Sequence, residues 1–264
     1  MQLEGPLRKM STYYGEEIRY TLRLGDDLLL MNALLGRHIE ISFNGNHTCF
    51  CGQLVPEVYR QNFCRECFFT KPEASPTIMK PELSQAHLGI EERDLEFEKD
   101  VQLKPHILYL AYSSNVKVGV TRKSQIPYRW IDQGAVEALV IAKTPYRQAA
   151  GLIEIALKNY ISDKTNWRKM LQNNLSERSL IDVKNELTNY LDYDLKQYVT
   201  RDSDINKVNF PVIKYPSKVK SVTLDKVPQI EEKLIGIKGQ YLLFDNDTVF
   251  NVRRHAGYLI QLSF

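Results

Sequence analysis

The four cysteines of this 264-residue chain all fall between positions 49 and 67. Their spacing is C-x-C-x12-C-x-x-C, formed by Cys49, Cys51, Cys64 and Cys67. Each close pair places two thiols in one tight turn, and two such turns can supply the four sulfur ligands of a tetrahedral zinc site. The sequence therefore predicts a zinc ribbon, and any fold of the chain must bring these two turns together.

Disulfides and a redox C-x-x-C motif are the alternatives to zinc. The N-terminal residues MQLEGPLRKM contain no apolar h-region, so we expect no signal peptide and a reducing, cytoplasmic location. The apolar stretch LLLMNALL at 28–35 is too short to span a bilayer. Because sulfur would fill all four positions, we predict that the zinc is structural. His47 is a competing ligand, although a loop histidine is the simpler interpretation.

Hydrophobic periodicity divides the rest of the chain into strand-rich ends and a mixed centre. The predicted class is α+β, and the two terminal strand regions are expected to pair, with a small barrel as one arrangement. The predicted regions are N-terminal strands (1–45), the zinc ribbon (46–72), a linker (73–104), a core (105–175), a helical segment (176–209) and a C-terminal β region (210–264).

The central region predicts a hairpin that carries a tyrosine, a lysine and a glycine, a combination that is unusual for a purely structural core. HILYLAY (106–112) and VKVGVT (116–121) flank SSN and predict a hairpin, and EALVIAKT (137–144) predicts a third strand. The stretch 144–161 predicts a helix, with Thr144 as its N-cap and Pro145 at its first position. Gly119 would let another group approach the strand closely.

The order of Tyr109, Lys117-Val118-Gly119, Arg129 and Glu154 resembles the GIY-YIG nuclease superfamily, whose divergent branches carry K-I-G-x-T as the second motif. The resemblance covers residues 105–165 and implies a ββ(β)α core. It departs from the superfamily at the first-motif glycine, where Ile107 stands, and at the second tyrosine, which is Lys117. The downstream asparagine has two candidates, Asn159 and Asn166.

This resemblance implies a metal-dependent nuclease site. Tyr109 or Lys117 would activate a water molecule, and Glu154 would bind Mg²⁺ or Mn²⁺. Arg129 would bind the phosphate as a bidentate donor. The structural alternatives are a half-buried aromatic at Tyr109 and an i,i+4 ion pair between Glu154 and Lys158. Arg129 could also stack on Trp130, and residues 132–134 could form a simple turn.

The chain as a whole resembles a prokaryotic domain family of unknown function. The resemblance lies in KVGVT, RWIDQGA, SDKTNWRKML and GIKGQYLLFD, together with the cysteine spacing. It implies common ancestry and no particular activity.

Basic residues cluster locally, although the net charge is only +3. The predicted nucleic-acid-binding residues are Arg122, Lys123, Trp167, Arg168, Arg253 and Arg254. Trp167 could instead pack the start of a helix onto the core. The leading hypothesis is metal-dependent phosphodiester hydrolysis on DNA or RNA, with no membrane partner. The alternatives are a non-catalytic zinc-containing DNA- or RNA-binding protein and a protein-interaction scaffold.

Overall fold

The computed structural model of the chain describes residues 1–162 and 164–264. Its strands are β1 (Gln2–Pro6), β2 (Ser11–Tyr13), β3 (Arg19–Leu24), β4 (Asp27–Leu30), β5 (His38–Thr48), β6 (Leu54–Val55), β7 (His106–Tyr112), β8 (Val116–Arg122), β9 (Glu137–Thr144), β10 (Asn206–Lys207), β11 (Lys220–Val222), β12 (Gln229–Lys238), β13 (Tyr241–Phe244), β14 (Thr248–Asn251) and β15 (Tyr258–Ser263). Its α-helices are α1 (Arg65–Thr70), α2 (Pro76–Met79), α3 (Leu95–Gln102), α4 (Tyr128–Asp132), α5 (Arg147–Lys158), α6 (Trp167–Leu171), α7 (Leu180–Thr188) and α8 (Tyr193–Lys196).

The two ends of the chain form one large sheet. Its strand order is β1-β15-β5-β12-β13-β14-β11, and β6 pairs with β5. All neighbours are antiparallel except β11 and β14, which are parallel. The predicted pairing of the terminal regions is therefore confirmed. The predicted barrel is wrong, because among the described strands β1 and β11 remain as open edges of the sheet.

Alternating apolar residues on the strands explain how this sheet buries one face. On β15, Tyr258, Ile260 and Leu262 are buried while the residues between them are partly exposed. The small sheet β2-β3-β4 contributes Tyr20 and Leu22 to the same hydrophobic core. The terminal regions are thus joined through a shared core as well as through backbone pairing.

The central region forms a second sheet, with the order β10-β9-β7-β8. The predicted hairpin is confirmed as β7 and β8, and the third strand as β9. Six of the seven residues of β7 are buried, because α4 and α5 contribute to the cores on the two faces of the sheet. The structure thus has the order ββαβα, and β8 is an edge strand of the sheet.

The predicted start of α5 is wrong. Thr144 still belongs to β9, where it pairs with His106, and its hydroxyl donates to the Tyr146 carbonyl. The helix begins at Arg147, with Tyr146 as its N-cap residue. Pairing in the sheet therefore outweighs the local helix-start pattern.

Residues 72–102, which include most of the predicted linker, fold into short helices that we call the cap. The cap packs closely on α5, because an added Cβ at Gly151 would lie 2.6 Å from the Glu82 nitrogen. Arg147 donates to the carbonyls of Thr77 and Ile78 in the cap, at 3.3 and 2.7 Å. The cap therefore forms one wall of the central region.

Across the part of the chain that the structure describes, none of the helices is long and apolar enough to cross a bilayer.

Candidate functional site

The four cysteines converge as their spacing predicts. Their Sγ atoms all lie within 4.8 Å of one another. A tetrahedral zinc ion with Zn–S bonds of about 2.3 Å requires sulfur atoms roughly 3.8 Å apart, so small side-chain movements would complete such a site. The residues present therefore fit zinc, with sulfur filling every position of the tetrahedron.

Local backbone geometry orients the thiols. Gly52 has a φ of +90° and donates to the Cys49 carbonyl at 2.9 Å, which closes the first turn. Cys64 is the N-cap residue of α1, and its backbone N–H donates to the Cys49 Sγ at 3.1 Å. One sulfur is therefore already held by a backbone donor, as is usual around metal-bound thiolates.

The thiol pKa values differ within this cluster. Burial opposes ionisation of Cys49, but the backbone N–H groups of Cys64 and Cys51 stabilise its thiolate and lower its pKa to about 7. Burial and hydrogen bonds with the other thiols raise the pKa of Cys67 to about 12. A bound zinc ion would displace the remaining protons, because it binds the thiolate form.

His47 is engaged elsewhere. It lies on β5 rather than in a loop, and its Nδ1 is 3.0 Å from the Pro56 carbonyl oxygen. Its ring also packs against Phe43 and Tyr258. This packing explains the histidine without any role as a metal ligand.

A second candidate site lies where the edge strand β8 meets α4, α5 and the cap. A cavity of about 170 Å³ there, which we call the inner cavity, is lined by Tyr109, Gly119, Arg129, Gln133, Arg147 and Glu154, together with cap residues. Four positions of the predicted nuclease motif, Tyr109, Gly119, Arg129 and Glu154, therefore meet at one small opening.

Gly119 allows the tyrosine to reach this cavity. Tyr109 and Gly119 are directly paired across the hairpin. A Cβ at position 119 would lie 2.7 Å from the Tyr109 Oη, closer than real contacts allow. The absent side chain thus lets the Tyr109 ring lie across β8, and the close approach expected at this glycine is made by Tyr109.

Tyr109 is fully buried, and its hydroxyl donates to the Gln133 Oε1 at 3.0 Å. Burial raises the pKa of Tyr109, while Arg129 and Gln133 partly oppose the shift. The phenol is therefore protonated at neutral pH, and its oxygen retains lone pairs that can accept a hydrogen bond.

Glu154 lies on α5, and its side chain is only 12% exposed. Its carboxylate is 3.7 Å from the Lys158 Nζ, so the ion pair predicted as an alternative is present. Lys117 is also buried, but it is not among the residues that line the inner cavity. Asn166 caps α6, and neither it nor Asn159 lines the cavity.

Four arginines surround the adjoining outer cleft, a space of about 600 Å³ that continues from the inner cavity. They are Arg122, Arg129, Arg147 and Arg253. Burial lowers the pKa of Arg147, and Arg122 and Arg129 lower it further, while Glu154 and Glu82 oppose the shift. Such mutual repulsion between cations indicates a place where an anion would bind favourably.

The structure separates the other predicted nucleic-acid-binding residues from this cleft. Lys123 lines a different cavity beside Trp130. Trp167 is half-buried and stacks on Tyr241 with ring centroids 6.0 Å apart, and Arg168 lies over its ring. Arg254 is exposed. A direct nucleic-acid contact by any of these residues stays a prediction.

Two residues of the inner cavity, Gln133 and Arg147, were not among the sequence-predicted site residues. Gln133 follows Arg129 by four positions and therefore extends the same helix face. Arg147 precedes Glu154 by seven positions, which is again one face of a helix. Helical spacing from the two predicted residues was the signal that could have found both.

Comparison with known proteins gives a family. A family model described as "Protein of unknown function (DUF2797)" matches residues 36–260. No curated protein and no solved structure matches the chain significantly. The resemblance of residues 105–165 to GIY-YIG nucleases finds no support in these comparisons and stays a prediction. The match spans most of the chain and confirms the predicted membership of a domain family of unknown function, so the chain belongs to the DUF2797 family.

Proposed function

We propose that the inner cavity binds a phosphodiester of DNA or RNA and hydrolyses it with the help of one Mg²⁺ or Mn²⁺ ion. The observation that carries this proposal is the convergence of Tyr109, Arg129, Arg147 and Glu154 on one cavity of about 170 Å³. The ββαβα order of the central region is consistent with the GIY-YIG resemblance and supports the same proposal.

The arginines would bind the phosphate. Arg129 comes from α4 and Arg147 from the first turn of α5, so two guanidinium groups can contact different non-bridging oxygens. The cap carbonyls already fix the orientation of Arg147. Positive charge placed in advance around the phosphate would stabilise the charge that develops in the transition state.

Glu154 would supply the protein ligand for the metal. Mg²⁺ is commonly held by one or two carboxylates together with substrate phosphate oxygens. Two neighbouring guanidinium groups repel a cation when no phosphate is bound, so we propose that the metal and the phosphate bind together.

Tyr109 would orient the water that attacks phosphorus; the bond from phosphorus to the leaving oxygen would break, and a net proton would pass through solvent from the water to that oxygen. The proton of Tyr109 is donated to Gln133 and its oxygen accepts from Arg129, so a remaining lone pair would accept a hydrogen bond from water on the side facing the cavity. We assign this role to Tyr109 rather than to Lys117, because Tyr109 lines the cavity and Lys117 does not. In this proposal the raised pKa of Tyr109 makes it a positioning group and not a phenolate base.

A non-catalytic nucleic-acid-binding protein is the second candidate. The observation that favours it is the charge of the inner cavity, where Arg129 and Arg147 face a single carboxylate, Glu154. This arrangement is suited to phosphate binding even when no metal is present. The structural zinc would stabilise the fold under either function.

The test is cleavage of branched DNA, single-stranded DNA and structured RNA with and without added Mn²⁺. Chelators are omitted because they would also remove the zinc. Glu154→Gln is expected to lower the metal-dependent rate by at least ~100-fold, since the loss of a metal ligand costs several kcal/mol. The matched control is Glu186→Gln, because Glu186 also pairs with a cation, Arg178, but does not line the cavity.

Each outcome distinguishes the candidates. Mn²⁺-dependent cleavage that is lost in Glu154→Gln and kept in Glu186→Gln supports hydrolysis. Salt-sensitive binding without cleavage under any condition would refute hydrolysis and support the binding protein. An absence of both would refute both candidates and leave the scaffold hypothesis.

A further inference from the structure

We infer that the outer cleft binds a single-stranded segment of nucleic acid, with its phosphates on Arg122 and Arg253 and an unpaired base on Phe97. This inference rests on the proposed function, because it names the class of nucleic acid that would reach the inner cavity. It combines three parts of the chain: β8, the cap and the C-terminal β region.

The outer cleft continues outward from the inner cavity. The two spaces share Ile78, Met79, Val120, Arg129 and Arg147 among their lining residues. A strand with one phosphodiester in the inner cavity would therefore pass into the outer cleft. There it would meet Arg122 at the end of β8 and Arg253 in the turn after β14.

The arginines of the outer cleft are incompletely neutralised. Two carboxylates, Glu73 and Asp100, also line the cleft. Asp100 forms an ion pair with Lys104, whose hydrogen bond and charge lower the pKa of Asp100, and the charge of Arg122 adds a smaller effect in the same direction. Burial and the nearby Arg129 lower the pKa of Arg253, while Asp132 opposes the shift; an additional anion beside Arg253 and Arg129 would reduce the repulsion between them.

The apolar part of the cleft favours an unpaired base. Phe97 on α3 is half-buried, and Met79 is 67% exposed, and both line the cleft beside the arginines. A positively charged groove with an aromatic side chain is typical of proteins that bind single strands, because bases stack on the ring. In a duplex the base faces are covered by their neighbours and could not make this contact.

The small size of the inner cavity also favours a single strand over a duplex. A space of about 170 Å³ walled by the cap can hold a phosphate and part of a sugar. A duplex carries a second strand, which would have to fit outside the cavity against the cap. A flexible strand enters such a space more readily than a rigid duplex.

The test measures the affinity of the full-length, zinc-loaded protein for a short fluorescein-labelled oligothymidylate by anisotropy, without Mg²⁺ or Mn²⁺. Blunt duplex DNA and an abasic strand with the same number of phosphates are measured in parallel. We expect at least ~10-fold tighter binding of the single strand than of the duplex. Removing the bases is expected to weaken binding by roughly 5- to 100-fold, as for the loss of one or more stacked bases.

Substitutions locate the contacts. Arg122→Gln and Arg253→Gln are each expected to reduce the slope of log affinity against log salt by about 0.7, the value for one phosphate contact on a single strand. The controls are two exposed cations that line neither space, Lys196→Gln and Arg201→Gln, which should leave the slope unchanged. Phe97→Ala should weaken binding of the normal strand but not of the abasic strand.

Equal affinity for duplex and single strand would overturn the inference, and so would an abasic strand that binds wild type as tightly as the normal strand. These two comparisons need no variant, so a Phe97→Ala protein that fails to fold leaves them intact. Single-strand binding at these residues without Mn²⁺-dependent cleavage would keep the inference and refute the proposed hydrolysis. Cleavage that is unchanged in Arg122→Gln, Arg253→Gln and Phe97→Ala would keep the proposed hydrolysis and refute this inference.

Discussion

Replacing Gly119 with alanine tests the geometry on which the site depends. The new Cβ would lie 2.7 Å from the Oη and 2.8 Å from the Cζ of Tyr109. The tyrosine ring is fully buried and packs edge-on against Trp130 at 6.0 Å, so it has little room to move. Gly119→Ala should therefore displace Tyr109 or the strand.

The expected cost follows from three contributions. Overpacking a filled core costs about 1–3 kcal/mol. A displaced ring would also lose its hydrogen bond to Gln133, which contributes about 0.5–1.5 kcal/mol. Alanine recovers about 0.5–1 kcal/mol, because glycine is entropically unfavourable in a strand. We expect Gly119→Ala to lower the free energy of unfolding by about 2 kcal/mol.

Urea unfolding followed by circular dichroism measures this change as a lower midpoint with an unchanged m-value. The control is Gly15→Ala, because Gly15 is exposed and a Cβ there would come no closer than 3.3 Å to the Tyr13 side chain and 3.6 Å to the Glu17 carbonyl oxygen. Its effect should stay within about 0.5 kcal/mol. Tyr109→Phe removes the nearest clashing atom, so the penalty of Gly119→Ala should fall in that background. A neutral Gly119→Ala, or strict additivity with Tyr109→Phe, would refute the placement of Tyr109 over Gly119.

Three further predictions concern the metal, a buried lysine and the contact between two regions. Purified protein should contain zinc by elemental analysis, and Cys64→Ser should lose it; zinc retained in the variant would contradict the assigned ligand set. Burial lowers the pKa of Lys238 to about 7, from about 10.4 in an unfolded chain. Between these pH values the unfolded state binds more protons, so stability should rise with pH by up to about 5 kcal/mol. Urea unfolding of Lys238→Met should lack this component of the rise, and identical pH profiles would show that the lysine is not desolvated. Asp132 has a side chain only 5% exposed and accepts from Gln240 at 3.0 Å and from Lys9. Asp132→Ala should therefore lower the free energy of unfolding by about 1–3 kcal/mol, measured by thermal or urea unfolding. Lys9→Ala should lower it by less than about 1 kcal/mol. Equal costs would argue against the buried contact of Asp132 with Gln240.

The zinc ribbon and the central hairpin could be predicted because their information is local. The cysteine spacing alone brings sulfurs into tight turns, and the apolar pattern of β7 and β8 defines both strands and the turn between them. The side-chain period of two also places Tyr109 and Gly119 on one face of the hairpin. Local sequence patterns therefore predict the four candidate metal ligands and two residues that line the inner cavity, Tyr109 and Gly119.

Long-range contacts account for what the sequence did not predict. Arg147 is oriented by carbonyls that lie 70 and 69 residues earlier in the chain, and no periodic pattern connects these positions. The cap lacks a clear period because its helices are short and begin at prolines or at single capping residues, as α2 does at Pro76. The helix-start signal at Thr144 failed for the same reason, because β9 pairing with β7 extends through that residue.

The contacts of the cap connect the four-cysteine cluster with the arginine-lined cleft. Arg93 donates to the carbonyls of Phe68 and Lys71 at the end of α1, close after Cys67 of the four-cysteine cluster. Its own backbone N–H donates at 2.8 Å to Glu98 on α3.

From α3 the connection continues toward the cleft. Gln102 on α3 donates at 3.0 Å to the Thr77 hydroxyl, and the Thr77 carbonyl accepts from Arg147. Hydrogen bonds and short stretches of backbone thus connect the four-cysteine cluster through the cap to an arginine of the inner cavity. The ribbon has little apolar core of its own, so a metal bound by the four cysteines would order it. Loss of that metal would therefore loosen the wall of the cleft through the cap, without any contact between the metal and the cleft.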